Sequence, residues 1–253
     1  MFSKMIQKVN IFDINISQQE NYLKISFPNL DYKKENHPYC GMSLKNAGSM
    51  RFRNAETNQN RIDFFSSIGI DINRVVQPEL SHSKEVYNCF QDDFHNPLFE
   101  SFLTKSIQQN AVIGDGIITK EKNFVPVITV ADCVPIWFYD PVSKVFGIVH
   151  SGWKGTGIIE NALLFAEKKY NAKIPDFRVI IGPHIHSCCY KVDQEREKFF
   201  NSNFAPDTCE NQMLSLEKAN LFILEKIGIK PENLISIKNC TSCETNFGSF
   251  RRE

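Results

Sequence analysis

The feature that most constrains the fold is a nearly continuous apolar run, FVPVITVADCVPIWFY, at residues 124–139. A run of this kind predicts a buried strand, and Asp132 and Pro135 are its two interruptions. A carboxylate inside an apolar strand is costly unless it is paired or hydrogen-bonded. Asp132 beside Cys133 therefore indicates a strand end that opens into a pocket.

A second apolar strand, VFGIVH at residues 145–150, follows and ends on His150. A strand, a turn and a returning strand would place Cys133 and His150 side by side at one end of a sheet. Cysteine thiolate and histidine imidazole are preferred ligands of zinc. The same two side chains are also a possible nucleophile and base. The spacing alone leaves both interpretations open.

The turn after His150 is rich in glycine and reads SGWKGTG at residues 151–157. It leads into an amphipathic helix, predicted over 157–170. Glycines let a backbone approach an anion closely, and a helix N-terminus offers free amides. Lys154 would add positive charge, and Trp153 could stack on a flat ring or simply pack.

The rest of the chain mixes strands and helices without regular alternation. This favours an α+β or mixed α/β fold, a layered single domain over 1–253 with a central mixed β-sheet flanked by helices. Residues 91–111 are predicted as a helix or an irregular insertion. The other predicted strands lie within 5–30 and at 112–119, 179–182 and 234–237, and the other helices at 58–70 and 213–227.

Charge and cysteine content restrict the partners and the compartment. The 29 basic and 29 acidic residues cancel, which argues against nucleic acid or an anionic membrane as the main partner. No apolar run approaches the roughly 20 residues of a membrane span. The eight irregularly spaced cysteines and the absence of a signal-peptide pattern predict a reduced, cytoplasmic protein. The sequence leaves the oligomeric state open.

Several other candidate residues have weaker patterns. Cys240 and Cys243 form a lone CxxC, predicted to be packing or spare thiols. Cys188 and Cys189 are adjacent, so we expect that both do not face one pocket. Asp115, between two glycines, is predicted to be a turn residue rather than a catalytic one. His184 and His186 alternate, so one of them could face the pocket as an acid–base residue or a metal contact.

Two motifs, ADCVP at 131–135 and HSGWKGT at 150–156, resemble the signature of the multicopper polyphenol oxidase, or laccase-domain, family. Its members are now regarded as zinc-dependent purine nucleoside phosphorylases. The resemblance covers about residues 40–252, with 88–111 as a probable insertion. Supporting segments are NQNRIDFF (58–65), SHSKEVY (81–87), GDGIIT (114–119), IGPHIHSCCYKV (181–192) and CTSCETNFGSFRR (240–252).

The resemblance implies a metal site at His82, Cys133 and His150. Three protein ligands with an open fourth position are typical of a catalytic zinc site, and copper could also bind such ligands. The upstream motif has Leu80-Ser81 where the family usually has Gln-Val. The assignment of His82 as a metal ligand therefore comes mainly from the resemblance. The implied catalytic residues are Asp132, Cys133 and Arg61, and the implied substrate-binding residues are Asn60, Trp153, Lys154, Gly155, Thr156 and His184.

The implied activity is phosphorolysis of adenosine, inosine or S-methyl-5′-thioadenosine with phosphate, together with adenosine deamination. Three alternatives remain. One is a copper-dependent polyphenol oxidase, which the six histidines of the chain argue against. The second is a metal-free hydrolase with Cys133 as nucleophile and His150 as base. The third is a factor in cell-wall maintenance.

Overall fold

The computed structural model describes residues 7–9, 16–18, 21–31, 37–53, 56–92, 96–109 and 112–253. The predicted strands within 5–30 therefore fall partly outside the described residues. None of the helices in the described ranges has the length and apolar character that a membrane span requires.

A mixed sheet of nine strands forms the centre of the described fold, in the order β1-β16-β13-β11-β12-β9-β6-β7-β8. A three-stranded sheet, β2-β3-β4, and the pairs β5-β10 and β14-β15 complete the β-structure of the described residues. The strands are β1 (Gln7–Val9), β2 (Ile16–Gln18), β3 (Tyr22–Ser26), β4 (Tyr39–Ser43), β5 (Val75–Val76), β6 (Val86–Gln91), β7 (Pro97–Ser101), β8 (Ile107–Gln108), β9 (Gly116–Thr119), β10 (Val125–Pro126), β11 (Val134–Tyr139), β12 (Phe146–Ser151), β13 (Arg178–Ile181), β14 (Cys209–Glu210), β15 (Met213–Leu214) and β16 (Leu234–Ile237).

The apolar character of β11 follows from burial on both faces of this sheet. Ile136 and Phe138 belong to the core under the helices, whereas Trp137 and Tyr139 belong to the core under the β2-β3-β4 sheet. Side chains alternate across a strand, so a strand covered on both faces must be apolar at every position. The helices are α1 (Gln59–Ser67), α2 (Ile158–Tyr170), α3 (Gln194–Asn203) and α4 (Leu216–Lys226).

The strand directions bring the ends of several strands together at one end of the sheet, which we call the site end. β11 runs antiparallel to β12 and to β13, β12 runs antiparallel to β9, and β9 is parallel to β6. The N-termini of β6, β9 and β11 therefore meet the C-termini of β12 and β13. Because β16 is parallel to β13, the C-terminal segment that follows β16 also starts there.

The structure confirms the mixed α/β fold class and corrects one segment. Helices predicted at 58–70, 157–170 and 213–227 are present as α1, α2 and α4. Residues 97–101 and 107–108, predicted as a helix or an irregular insertion, are instead the strands β7 and β8, which extend the sheet beyond β6. Backbone hydrogen bonds between β6 and β7 and between β7 and β8, at the edge of the sheet, decide their conformation. Residues 93–95 and 110–111 lie outside the described residues.

Candidate metal centre and adjoining cleft

His82, Cys133 and His150 lie together at the site end. Cys133 directly precedes β11, and His150 lies near the end of β12, where it pairs with Pro135. The ligand atoms of the three side chains all lie within 4.8 Å of one another. His150 is buried, Cys133 is half-buried and His82 is exposed, so the cluster is anchored in the fold and reachable from solvent.

His82 sits in a tight turn that Asp115 organises. The backbone of His82 is left-handed, with φ of 59°. The Asp115 carboxylate accepts hydrogen bonds from the backbone N–H groups of His82 (3.0 Å) and Ser83 (2.6 Å) and from the Ser83 hydroxyl (2.8 Å). Further bonds come from the N–H and hydroxyl of Ser81. These hydrogen bonds hold the turn in its left-handed conformation. They thereby fix the backbone position from which the His82 side chain extends.

Asp115 also orients His150. Its Oδ1 lies 2.8 Å from His150 Nδ1, and both side chains are almost fully buried. This contact leaves Nε2 of His150 to face the cluster, as in the carboxylate–histidine pairs that accompany zinc sites. Asp115, predicted as a turn residue rather than a catalytic one, thus lies in a bend of the chain and also orients His150. It immediately precedes β9, which pairs with β12, and that long-range pairing brings it to His150.

The charges of the cluster reinforce one another. Burial raises the pKa of the Cys133 thiol, but hydrogen bonds and positive charge from His150 and His82 outweigh this and lower the pKa to about 7. Burial disfavours the His150 imidazolium, yet Asp115 and Cys133 raise the pKa of His150 to about 9. Burial also opposes ionisation of Asp115, whereas hydrogen bonds from His150 and Ser83 lower its pKa to about 2. The cluster thus favours a thiolate, the form of cysteine that binds metals.

The donor set fits a transition-metal ion. One soft thiolate and two imidazoles suit zinc and also copper. Gly152 keeps the space beside them open, because a Cβ there would lie 3.1 Å from Cys133 Sγ and 3.4 Å from His82 Cδ2. Gly155 allows close packing instead, since a Cβ there would approach the Ser83 carbonyl oxygen to 2.6 Å.

Asp132 connects the cluster to the C-terminal segment. Its backbone is left-handed, with φ of 82°, and its side chain is 7% exposed. Oδ1 accepts a hydrogen bond from the Thr241 hydroxyl at 2.7 Å, and Oδ2 accepts one from the Arg251 N–H at 2.7 Å. The backbone oxygen of Asp132 accepts from the Ile185 N–H. The costly carboxylate at the strand end is thus satisfied by two residues of the C-terminal segment.

A cleft opens beside the cluster and is lined by His82, Asp132, Cys133 and His150. Four further lining residues were not predicted as a group: Trp153, Tyr190, Arg196 and Arg251. The Arg196 guanidinium lies 4.2 Å from the Trp153 ring centroid, and that of Arg251 lies 5.5 Å from the Tyr190 ring centroid. Burial raises the pKa of Tyr190, and the charge of Cys133 raises it further, whereas the positive charges of Arg196 and Arg251 lower it. These groups therefore share one electrostatic environment.

Sequence reasoning found Trp153 but missed Tyr190, Arg196 and Arg251, for identifiable reasons. Arg196 lies on α3, which was not predicted, although Asp193 caps this helix by accepting from the Arg196 N–H at 2.7 Å. An Asp followed by a polar, helix-forming stretch is the signal that could have found it. Tyr190 and Arg251 come from segments that only the β13–β16 pairing brings together.

The other predicted site residues are divided between the lining of the cleft and positions outside it. Among the described residues, those lining the cleft include Arg61 but not Asn60, Lys154, Gly155, Thr156 or His184. Arg61 is buried, with its guanidinium 5.0 Å from the Phe52 ring centroid. Thr156 donates to the Gly152 carbonyl inside the turn, and Lys154 is exposed near Trp153. Their roles in substrate binding stay predictions.

The positions of His184 and of the adjacent cysteines bear on two further predictions. His184 is buried, with Nδ1 2.7 Å from the Gly182 carbonyl oxygen, and lies outside the His82 cluster. The adjacent Cys188 and Cys189 do lie together with Cys240 and Cys243, so the expectation that both would not face one site is wrong. Both residues lie in the turn at 187–189, and this turn brings the two thiols to the same side.

Comparison with known proteins identifies the family of this chain. Residues 36–253 match the family described as multi-copper polyphenol oxidoreductase laccase, and the chain belongs to this family. It is 32% identical over 148 residues to a purine nucleoside phosphorylase of Borreliella burgdorferi, covering 55% of this chain and 63% of the relative. It is 35% identical over 149 residues to the purine nucleoside phosphorylase YlmD of Bacillus subtilis, covering 55% and 54%.

A solved structure extends the likeness to nearly the whole chain. The hypothetical protein YfiH of Bacillus licheniformis superposes with a TM-score of 0.75 at 25% identity, covering 95% of this chain and 94% of that one. The two curated relatives are matched over less than two thirds of their own length. These matches establish the family and the fold of this chain.

Proposed function

We propose that this protein is a zinc-dependent purine nucleoside phosphorylase that acts on adenosine, inosine and S-methyl-5′-thioadenosine with phosphate. The observation that carries this is the convergence of His82, Cys133 and His150 on one point beside a cleft with aromatic and guanidinium groups. The names of the relatives support the reaction class. The reducing cytoplasm, where thiols persist, is the compartment that suits such a site.

His82, Cys133 and His150 would hold the metal. Three protein ligands, rather than four, are typical of catalytic zinc sites. Zinc bound there would supply Lewis-acid stabilisation of the negative charge that develops during the reaction. Asp115 contacts the His150 ring and holds the turn that carries His82, so it keeps both donors in position.

The side chains of the cleft suit a nucleoside and an inorganic anion. Trp153 and Tyr190 offer aromatic surface to a purine, and Arg196 and Arg251 offer guanidinium groups that match phosphate oxygens. In phosphorolysis, the bond between the ribose C1′ and the purine nitrogen breaks while a bond forms from C1′ to a phosphate oxygen. Both reactants must reach C1′ together, and a cleft that carries both kinds of group allows this.

The same cleft would also accept adenosine for deamination, in which water replaces the 6-amino group and ammonia leaves. One experiment covers both reactions. Zinc-loaded protein is incubated with adenosine, with and without phosphate, and products are separated by chromatography. Adenine and ribose 1-phosphate that appear only with phosphate indicate phosphorolysis, and inosine in either mixture indicates deamination.

A matched pair of variants makes this assay specific. Cys133→Ala removes one cluster ligand and should abolish product formation, whereas Cys209→Ala removes a buried thiol outside the cluster and should not. The proposal is wrong if the zinc-loaded native protein forms neither adenine nor inosine.

A second candidate function rests on one specific observation. Asp115, His150 and Cys133 also have the arrangement of a carboxylate, a base and a nucleophile, since His150 contacts both of the others. A metal-free hydrolase would need these three residues and not His82. His82→Ala separates the two candidates, because it removes a metal ligand and leaves the other three side chains intact. Loss of activity in His82→Ala supports the metal enzyme, and retained activity without metal supports the hydrolase.

Polyphenol oxidation, which the family description suggests, needs several copper ions. The described residues gather two histidines and one cysteine at this site, enough for one ion. A dye-oxidation assay on copper-loaded protein, run beside the nucleoside assay, tests this alternative directly. We expect products from nucleosides and none from the dye.

A further inference from the structure

We propose that Cys188, Cys189, Cys240 and Cys243 bind a second zinc ion as a structural, four-thiolate site. This site is distinct from the His82 cluster and does not depend on the proposed activity. It would join the loop after β13 to the C-terminal segment after β16.

The four sulfur atoms surround a common point. All four lie within 4.8 Å of one another. Cys188 and Cys189 Sγ are 3.8 Å apart, and Cys243 Sγ lies 3.6 Å from that of Cys188 and 3.4 Å from that of Cys189. Zinc binds thiolates at about 2.3 Å in a tetrahedron, which separates the sulfurs by about 3.8 Å. The observed separations are close to this value.

Two tight turns present the thiols in pairs. The Cys189 and Tyr190 N–H groups both donate to the His186 carbonyl oxygen, which closes a turn around Cys188 and Cys189. In the second pair, the Cys243 N–H donates to the Cys240 carbonyl oxygen at 3.2 Å. A CxxC turn of this kind is a common half of a zinc site, and the adjacent pair on the other loop supplies the second half.

Backbone pairing brings the two loops side by side. β13 and β16 are parallel neighbours, so the segments that follow them leave the sheet side by side. The Thr241 N–H donates to the His184 carbonyl oxygen at 3.0 Å. The His186 N–H points at Cys240 Sγ from 3.4 Å, which favours a thiolate there. The backbone thus preorganises four sulfur ligands from residues more than 50 positions apart.

The donor chemistry favours zinc and a structural role. Four thiolates in a tetrahedron select zinc or iron among the common metals. A site closed by four protein ligands leaves no position for substrate, which is the mark of a structural zinc site. A disulfide is the main competing use of these thiols, but it would join two of the sulfurs and leave the other two unused.

The second ion would stabilise one wall of the cleft. Thr241 lies between Cys240 and Cys243 and donates to the Asp132 carboxylate, and that carboxylate also accepts from the Arg251 N–H. Holding Cys240 and Cys243 in place would therefore hold the segment that carries Arg251. The effect on the cleft is one of position, since none of the four cysteines lines it among the described residues.

Elemental analysis of full-length protein, purified in reductant without added metal, tests the proposal. We expect about two zinc ions per chain in the native protein and about one in the Cys188→Ser/Cys243→Ser variant. Cys133→Ala should also retain about one, but at the other site, and Cys209→Ala should retain about two. A Cys188→Ser/Cys243→Ser variant with the zinc content of the native protein would overturn the proposal. If the native protein holds zinc only in the four-thiolate site, this proposal stands while the catalytic one fails.

X-ray absorption on the native protein keeps the test independent of any variant. Two sites should give a mean sulfur coordination above two per zinc, with zinc–sulfur distances of about 2.3 Å, whereas the His82 cluster alone supplies one sulfur. A mean near one sulfur would contradict the second site. So would a disulfide between any two of the four cysteines in protein kept under reductant, or iron in place of zinc.

Discussion

Asp115 is the residue on which the geometry of the metal cluster most depends. It is fully buried and accepts hydrogen bonds from one side chain of the cluster and from the turn that carries another. A buried carboxylate needs several such partners to stay ionised. Because it binds both His82 and His150 from behind, Asp115 sets their distance from Cys133 without itself facing the cleft.

We therefore predict that Asp115→Asn weakens zinc binding by about 10–100-fold, the usual effect of losing a carboxylate behind a ligating histidine. An amide can accept hydrogen bonds only through its oxygen, so its NH2 group would face donors that now meet a carboxylate oxygen. The measurement is competition between the protein and a chelator of known zinc affinity, carried out on the Cys188→Ser/Cys243→Ser background so that only one site reports.

The chain offers a matched control in Asp140→Asn. Asp140 is also buried, and its carboxylate accepts hydrogen bonds from the Val142 and Ser143 N–H groups in the turn between β11 and β12. That turn lies at the opposite end of these strands. Asp140→Asn should lower the free energy of unfolding and leave zinc affinity unchanged. Equal zinc affinities in the two variants would contradict the role given to Asp115.

The sequence predicted the chemistry of individual residues better than it predicted which residues they contact. Cys133 and His150 could be placed together because one strand pair links them over a short stretch of chain. The role of Asp115 was invisible, because GDG is a common turn pattern and its meaning depends on β9 pairing with β12. The cysteine cluster was missed for the same reason, since CC and CxxC lie in segments that only parallel pairing of β13 and β16 unites.

At the level of elements, the glycine-rich turn between β12 and α2 has a packing role that its sequence did not reveal. The pattern predicted an anion-binding loop, and the structure shows Gly155 pressed against the backbone of Ser83. This contact joins the turn after His150 to the turn that holds His82. Small size at position 155 is therefore a condition for the two histidines to approach each other.

Gly155→Ala should displace the His82 turn and weaken zinc binding by roughly tenfold, with a destabilisation of about 1–3 kcal/mol from overpacking. The added Cβ would lie 2.6 Å from a backbone oxygen, which cannot swing aside as a side chain can. Zinc competition and denaturant unfolding measure the two effects.

Gly248→Ala is the control for this change, because a Cβ at position 248 meets nothing within 4 Å. It should leave zinc affinity and the free energy of unfolding close to the native values. If Gly155→Ala binds zinc as tightly as Gly248→Ala does, the contact with Ser83 does not position His82.

Prediction of strands succeeded where burial determined the sequence pattern. It failed where strand pairing alone determined the conformation. The apolar stretches became β11, β12, β13 and β16, because strands covered on both faces must be apolar. β7 has only a short apolar stretch, with Phe99 buried, and both residues of β8 are exposed, so these segments carry little strand signal of their own. They are strands because β6 offers backbone hydrogen bonds to β7, and β7 offers them to β8.

For the whole molecule, the two clusters are cross-links between distant parts of the chain. The first joins the turn before β6 to β11 and β12, and the second joins the loop after β13 to the C-terminal segment. Both lie at the site end of one sheet, so metal binding and the folding of that end are linked. An ion that binds the folded state alone stabilises it by an amount that rises with metal concentration.

Removing metal from the native protein should therefore lower its Tm markedly. Zinc at 1,000 times its Kd stabilises by about 4 kcal/mol per site, and a chain of this size shifts by about 2–4 °C per kcal/mol, which gives about 8–16 °C for each ion. Scanning calorimetry with and without chelator measures this. Cys133→Ala and Cys188→Ser/Cys243→Ser should each keep about half of the chelator response, and the variant that combines all three changes should keep none. A triple variant whose Tm still falls with chelator by the native amount would show that the stabilising metal binds elsewhere.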